Sequence, residues 1–243
     1  MISKAKLKEL AAFKQQKQCQ ENDCFVIEGV KMVAEALDAH IDIIAVCATA
    51  TWIESHEVPS GIELHEVAEQ ELLRLSNMAT PNEVWALAKR CYPEVPTAQR
   101  LTLALDRIQD PGNMGTIIRI ADWFGIRQIV CSPDTASCFN PKVVQSTMGG
   151  IFRTSIRYAP LADYLVGQDI PIYGAMLNGD NLYSSTLATP AILVVGNESR
   201  GISHEVAARL THRLLIPNYG GTCESLNAAV ATSILCAEFF RTL

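Results

Sequence analysis

The sequence predicts an α/β protein of two domains, and three observations carry that prediction. Apolar strand-like runs alternate with segments of helical periodicity along the whole chain. The runs of the second half are almost continuously apolar, as strands of a mostly parallel sheet covered on both faces are. Between the halves, residues 91–100 hold Pro93 and Pro96 without sustained periodicity, as a linker does. The expected limits are therefore an N-terminal domain over residues 1–90, a linker over 91–100 and a second domain over 101–243. With 49% hydrophobic residues in 243, the chain has ample material for real cores.

In chain order, Ser3 to Gln18 carries Leu7, Leu10, Ala11 and Phe13 at roughly helical spacing, with Ser3 as its cap. A strand over Cys24–Ile27 leads through Glu28-Gly29 into a helix with Val30, Val33, Ala34 and Leu37 on one side. Strands follow at Ile41–Cys47, Ile62–Val67 and Val84–Ala88, separated by a short helix near Trp52 and another over Ala68–Ser76. The second domain opens on Leu101–Leu105. Its later strands are Ile129–Cys131, Ser155–Tyr158, Ile172–Ala175, Ala191–Val195 and Arg213–Ile216, and a long apolar helix over Ala228–Arg241 ends the chain.

Composition narrows the function classes. A net charge of −6 and a pI near 5.4 argue against indiscriminate nucleic-acid binding. Local basic faces remain: Lys4, Lys6, Lys8, Lys14 and Lys17 are opposed only by Glu9, and Lys89, Arg90, Arg100 and Arg107 follow the middle of the chain. A solvated charged face is the simpler account of each. The eight cysteines form no C-x-x-C pair and mostly sit among apolar neighbours, so reduced buried thiols are expected rather than disulfides. The histidines show no paired metal spacing; His204 and His212 are expected as surface or structural residues, and no metal is expected. No apolar run approaches the roughly 18 residues of a membrane span, and the Lys-rich start lacks a signal-peptide core. The expectation is a soluble, cytoplasmic protein without a membrane partner.

In an open parallel sheet, ligands bind beyond the C-terminal strand ends, which directs attention to three loops. The first runs from Asp106 to Ala121, with Asn113 expected as a helix N-cap and Arg107 and Arg119 as possible partners of a phosphate or carboxylate. Pairing of Arg119 with Asp122 is the competing account. The second is Gly196-Asn197-Glu198-Ser199-Arg200-Gly201-Ile202-Ser203, where Gly196 lets a planar ligand approach the backbone. The third runs from Ile216 to Asn227; Pro217 stops the strand, Gly220-Gly221 frees the backbone, and Ser225 or Asn227 can cap the final helix. None matches the phosphate-loop or dinucleotide glycine fingerprints, which disfavours a nucleotide-dependent oxidoreductase.

Taken in this order, the three loops resemble the sequence motifs of the SpoU (TrmH-like) family of RNA ribose 2′-O-methyltransferases. The resemblance rests on Asn113, Gly115, Arg119 and Ala121, then Val194 to Ser199 with Gly201-Ile202, then Ile216-Pro217 with Ser225-Leu226-Asn227. It covers residues 101–241. Residues 19–90, with Phe25-Val26-Ile27-Glu28-Gly29, more loosely resemble the L30e-like substrate-binding domain that many members carry. The resemblance implies a trefoil-knotted sheet, S-adenosylmethionine as cofactor, RNA (tRNA or rRNA) as partner and a homodimer through the C-terminal domain. It implies a cofactor pocket at Gly196, Asn197, Ile216 and Leu226, and catalytic roles for Arg119, Asn113, Glu198, Asn227 and Ser225.

Arg119 matches the family's catalytic arginine. A guanidinium keeps its proton, so the expected role is to stabilise the developing 2′-alkoxide and anchor the neighbouring phosphate, itself a candidate acceptor of the proton. Asn113 and Asn227 would orient substrate or loops, and Glu198 would hold Arg119 or another loop. Two departures stand out: Asn218 occupies a position where members usually have Met, and Gly220 to Ser225 is one residue longer than the commonest spacing. The alternative function is a non-catalytic RNA-binding or ribosome-assembly protein on the same fold.

Overall fold

A computed structural model describes residues 2–80 and 82–241; the outer domain limits expected at residues 1 and 243 lie outside these. The first elements are α1 (Lys4–Ala11), α2 (Gln16–Glu21), β1 (Cys24–Glu28), α3 (Val30–Asp38), β2 (Ile43–Ala48), α4 (Ala50–Ser55), β3 (Glu63–Glu66), α5 (Glu69–Leu75) and β4 (Val84–Lys89). There follow β5 (Leu101–Asp106), α6 (Pro111–Trp123), β6 (Gln128–Cys131), α7 (Pro141–Thr147), β7 (Ser155–Tyr158) and α8 (Leu161–Tyr164). The chain ends with β8 (Ile172–Asn181), β9 (Ala191–Gly196), α9 (His204–Ala207), β10 (His212–Leu215) and α10 (Ala228–Phe240). It divides into two compact units: Met1–Cys91 with Phe139–Phe152, and Tyr92–Cys138 with Arg153–Leu243.

The first unit holds a four-stranded sheet in the order β1-β4-β2-β3. β4 runs antiparallel to both neighbours, pairing Val26 with Leu87 on one side, whereas β2 and β3 are parallel. Leu7 and Leu10 of α1 pack with Val26, Trp85 and Leu87 in its core. Although α7 lies far along the chain, it belongs to this unit: the Phe139 ring just before it sits 5.0 Å from that of Phe25.

The single N-terminal helix expected over Ser3 to Gln18 is instead two helices. Ser3 caps α1 as expected, accepting from the Lys6 amide at 3.2 Å, but Ala12–Lys14 tighten into a 3-10 turn and Gln15 is extended. No Gly or Pro marks the break. Tertiary contacts make it: Phe13 packs on the core while its carbonyl accepts from the Cys19 thiol at 3.1 Å.

The second unit is an α/β layer structure on a fully parallel six-stranded sheet, ordered β10-β8-β9-β5-β6-β7. Leu103 stands between Ile129 and Leu193 in register. On one face Ala104, Val130, Ile192 and Val194 pack against Leu161, Leu165 and Val206. By strand alternation Leu105 and Val195 point to the other face, and α6 and α10 pack against each other. The strand expected over Ile172–Ala175 continues to Asn181, interrupted: Tyr173 and Gly174 pair with His212 and Arg213, then Asp180 and Asn181 pair with Leu214 and Leu215. Residues 175–179 are thereby pushed out of register beside the strand ends. That excursion forms one wall of the site.

Candidate functional site

The frame of the site begins where β5 ends. Asp106 is 2% exposed, and its carboxylate accepts from the Ser203 amide at 2.6 Å, fastening the end of the second loop. Arg107 adopts φ 60°, a conformation costly for a bulky side chain and stable only when its surroundings over-determine it. They do: its amide donates to Ser132 Oγ at 2.8 Å, its carbonyl accepts from Asn197 Nδ2 at 3.0 Å, and its guanidinium meets Asp106 at 3.5 Å and the Gly201 carbonyl at 3.5 Å. Arg107 is thus a framework residue rather than an open phosphate receptor.

The second loop closes on itself. Asn197 Oδ1 accepts from the amides of Ser199 (3.0 Å) and Arg200 (3.1 Å), and its carbonyl accepts from Gly201 at 2.8 Å. This brings backbone so near Gly196 that a Cβ there would lie 2.4 Å from the Gly201 carbonyl carbon and from the Ile202 nitrogen. The immediate reason for glycine at 196 is therefore the return of its own loop. Approach of a planar ligand is not required to explain it.

Beyond the ends of β9 and β10 lies a cavity of about 720 Å³, the size of a small-molecule site. Its walls are the 175–178 excursion, the second loop and the third loop, with Val195, Ile202, Ile216 and Leu226 among the apolar lining residues. Gly196, Asn197, Glu198 and Ser225 also line it. Glu198 and Glu224 bring two carboxylates to these walls against the one guanidinium of Arg200. All four positions expected to bind the cofactor meet at this cavity, as do two of the five expected catalytic residues.

Two more are joined to it by hydrogen bonds. Asn113 donates to the Glu198 carboxylate and accepts from Asn227 Nδ2 at 2.8 Å. Asn227 Oδ1 in turn accepts from the amides of Ala229 (3.0 Å) and Val230 (3.2 Å), capping α10. Every donor in this chain points toward the Glu198 anion, so the bonds polarise one another in one direction. Three loops far apart in sequence are locked together by it. Asn113 itself is not the α6 cap: Asp110 is, accepting from the Asn113 amide at 2.8 Å with Pro111 opening the helix. The Asp-Pro pair satisfies the helix start, leaving the Asn113 side chain free for the other loops.

Arg119 stands exposed in α6, outside the cavity lining, and makes no hydrogen bond or ion pair among the described residues. Glu198 does not hold it. Neither does Asp122, whose carboxylate is taken by Arg153 at 2.9 Å and by Arg127 at 3.6 Å. The bond between Asp106 and Ser203 spans 97 positions and is not legible in the sequence. A buried acid ending an apolar strand was the one available signal.

Among the described residues, no group of three or more His, Cys, Asp or Glu side chains is placed to hold a metal ion, and no helix is long and apolar enough to cross a membrane. His212 stacks on Tyr173 at 4.7 Å, a structural use of the ring.

A parallel sheet with an apolar cavity over its strand ends, fenced by three cross-linked loops, defines an α/β protein suited to a small-molecule ligand. Residues 100–237 match the model of the SpoU rRNA Methylase family, and residues 4–86 that of an MRM3-like substrate binding domain. The chain belongs to the SpoU family. It is 30% identical over 234 residues to a 23S rRNA (guanosine(2553)-2′-O)-methyltransferase of Bacillus subtilis, covering 95% of this chain and 94% of that one. A protein of Porphyromonas gingivalis assigned to the TrmH family of RNA methyltransferases superposes with a TM-score of 0.90 at 41% identity over the full length of both chains. An AdoMet-bound rRNA methyltransferase from Sinorhizobium meliloti superposes with a TM-score of 0.88 at 29% identity, covering 100% of this chain and 97% of that one.

Proposed function

We propose that this protein methylates a ribose 2′-hydroxyl of ribosomal RNA in the cytoplasm, working as a homodimer. It is an S-adenosylmethionine-dependent RNA 2′-O-methyltransferase of the SpoU family. The observation that carries the reading is the cavity at the ends of β9 and β10, tied by the Asn227–Asn113–Glu198 chain to the helix that bears Arg119. Its chemistry fits the cofactor. Apolar walls suit an adenosine, and an excess of carboxylates over guanidinium suits a cationic donor.

S-adenosylmethionine supplies an electrophilic sulfonium methyl. The remaining work falls to the chain. Gly196, Asn197, Ile216 and Leu226 would hold the cofactor through backbone and apolar contacts, and Ser225, which makes no hydrogen bond among the described residues, is a polar group available at the cavity. Asn113, Glu198 and Asn227 keep the loops in register, so that reacting atoms are aligned when RNA arrives. Methylation of the 2′-oxygen would displace the thioether and release the hydroxyl proton, which the neighbouring phosphate or solvent would take. Arg119 would bind that phosphate and stabilise negative charge on the oxygen.

Homodimerisation is supported by the face on which Arg119 stands. Trp123 is 85% exposed and Val230 49% exposed on the paired helices α6 and α10, and α10 is apolar nearly all round. Methyl transfer then depends on pairing of two copies through this face. Substrate recognition is assigned to the first unit, supported by its match to a substrate binding domain. Calorimetric titration with S-adenosylmethionine tests the cavity: saturable binding that Leu226→Arg abolishes is expected. No binding by the unaltered protein would instead favour a non-catalytic RNA-binding role.

A further inference from the structure

We infer that Asn218 is the positioning residue that pre-forms the cofactor wall, a role resting on the assignment of the cavity to S-adenosylmethionine. The third loop contains little else to give it shape. Residues 218–227 are all exposed, so no buried apolar side chain anchors them, and residues 217–226 make no backbone–backbone hydrogen bond among the described residues. Such a segment ordinarily samples many conformations. Yet Tyr219, Gly221, Cys223, Glu224, Ser225 and Leu226 all line the cavity, and a wall must be ordered to bind.

The Asn218 side chain supplies the missing bonds. Its Oδ1 accepts from the amides of Gly220 (3.0 Å) and Gly221 (2.7 Å), while its Nδ2 donates to the carbonyls of Gly221 (3.0 Å) and Cys223 (3.3 Å). An Asn amide offers two acceptor sites and two donors, and all four are spent inside one loop. Gly220 at φ 100° permits the turn that brings these groups back to a single side chain. Neither Met, with no donor and only a weak acceptor, nor Asp, with no donor, can form this set. The backbone from Gly220 to Cys223 is thus gathered by one side chain.

Binding to a pre-ordered loop avoids the ordering cost that a mobile loop would add, so the expected effect of losing Asn218 falls on cofactor affinity. The test compares the full-length protein with N218A and N218D by amide hydrogen exchange without cofactor, by calorimetric affinity for S-adenosylmethionine, and by kcat at saturating cofactor. In N218A the Gly220 and Gly221 amides should exchange at least about tenfold faster, and cofactor affinity should fall about tenfold, the scale of one net hydrogen bond. The kcat at saturation should change less than about twofold, because the reacting groups are untouched. N218D, which keeps both acceptor bonds, should lie between. Unchanged exchange and affinity in N218A would overturn the role of Asn218, as would faster exchange with unaltered affinity. Absence of cofactor binding by the unsubstituted protein would overturn the cofactor assignment itself, separately from the loop's behaviour in exchange.

Discussion

A guanidinium standing unpaired on an exposed helix face is a receptor for anions, because its planar fork of N–H donors matches a phosphate or carboxylate. Arg119→Ala should therefore lower turnover by about 10²–10³-fold, as loss of a charge-stabilising donor does, and leave S-adenosylmethionine affinity within about twofold. Single-turnover methyl transfer alongside calorimetry checks both; full turnover in the variant would remove Arg119 from the chemistry. Thiol chemistry offers a second check. Burial pushes the thiols of Cys24, Cys47 and Cys236 up to about 12, leaving almost no thiolate at pH 8, whereas Cys223 lies exposed on the cavity wall. Maleimide labelling of the native protein should mark Cys223 first, and S-adenosylmethionine should slow it. Rapid labelling of the buried thiols would contradict the packing. Arg119, Asn113, Glu198 and Asn227 were all nameable from the motifs, but the bonds that join Asn113, Glu198 and Asn227 were not. Hydrogen bonds spanning 85 and 114 positions leave no local trace in a sequence.

Local punctuation accounts for most elements, and its failures are physical. The limits of β1, β2, β4, β5, β6 and β9 follow the apolar runs closely because strands buried on both faces need them uninterrupted. The end of β8 is not legible in the sequence because Asn178-Gly179-Asp180-Asn181 carry no apolar side chain, and Asp180 and Asn181 rejoin the ladder only through pairing with β10. The α6 cap was misplaced from Asp110 to Asn113, since either residue type serves and only tertiary demand for Asn113 decides between them. Two substitutions probe this level. Asn227→Ala removes the α10 cap and the bridge to Asn113, and should cost about 1 kcal/mol of stability by denaturant unfolding together with a larger loss of activity. Gly196→Ala forces a methyl group into the Gly201–Ile202 backbone and should cost about 1–3 kcal/mol while opening the second loop. Unaltered stability in Gly196→Ala would mean that the loop does not return so close.

At the scale of the molecule, the alternation of strands and helices made two α/β units legible. The membership of Phe139–Phe152 in the first unit was not legible, because it follows from packing beside Phe25 rather than from any local composition. Pairing of two copies through α6 and α10 predicts that Trp123→Asp yields a monomer in sedimentation that still binds S-adenosylmethionine but no longer transfers methyl groups. An active monomer would remove the second copy from the site. The central claim is most directly tested by incubating the purified protein with methyl-labelled S-adenosylmethionine and unmodified ribosomal RNA, then digesting the RNA to nucleosides. The account predicts label in a 2′-O-methylated nucleoside and its loss with Arg119→Ala; label in a methylated base, or none, would contradict it.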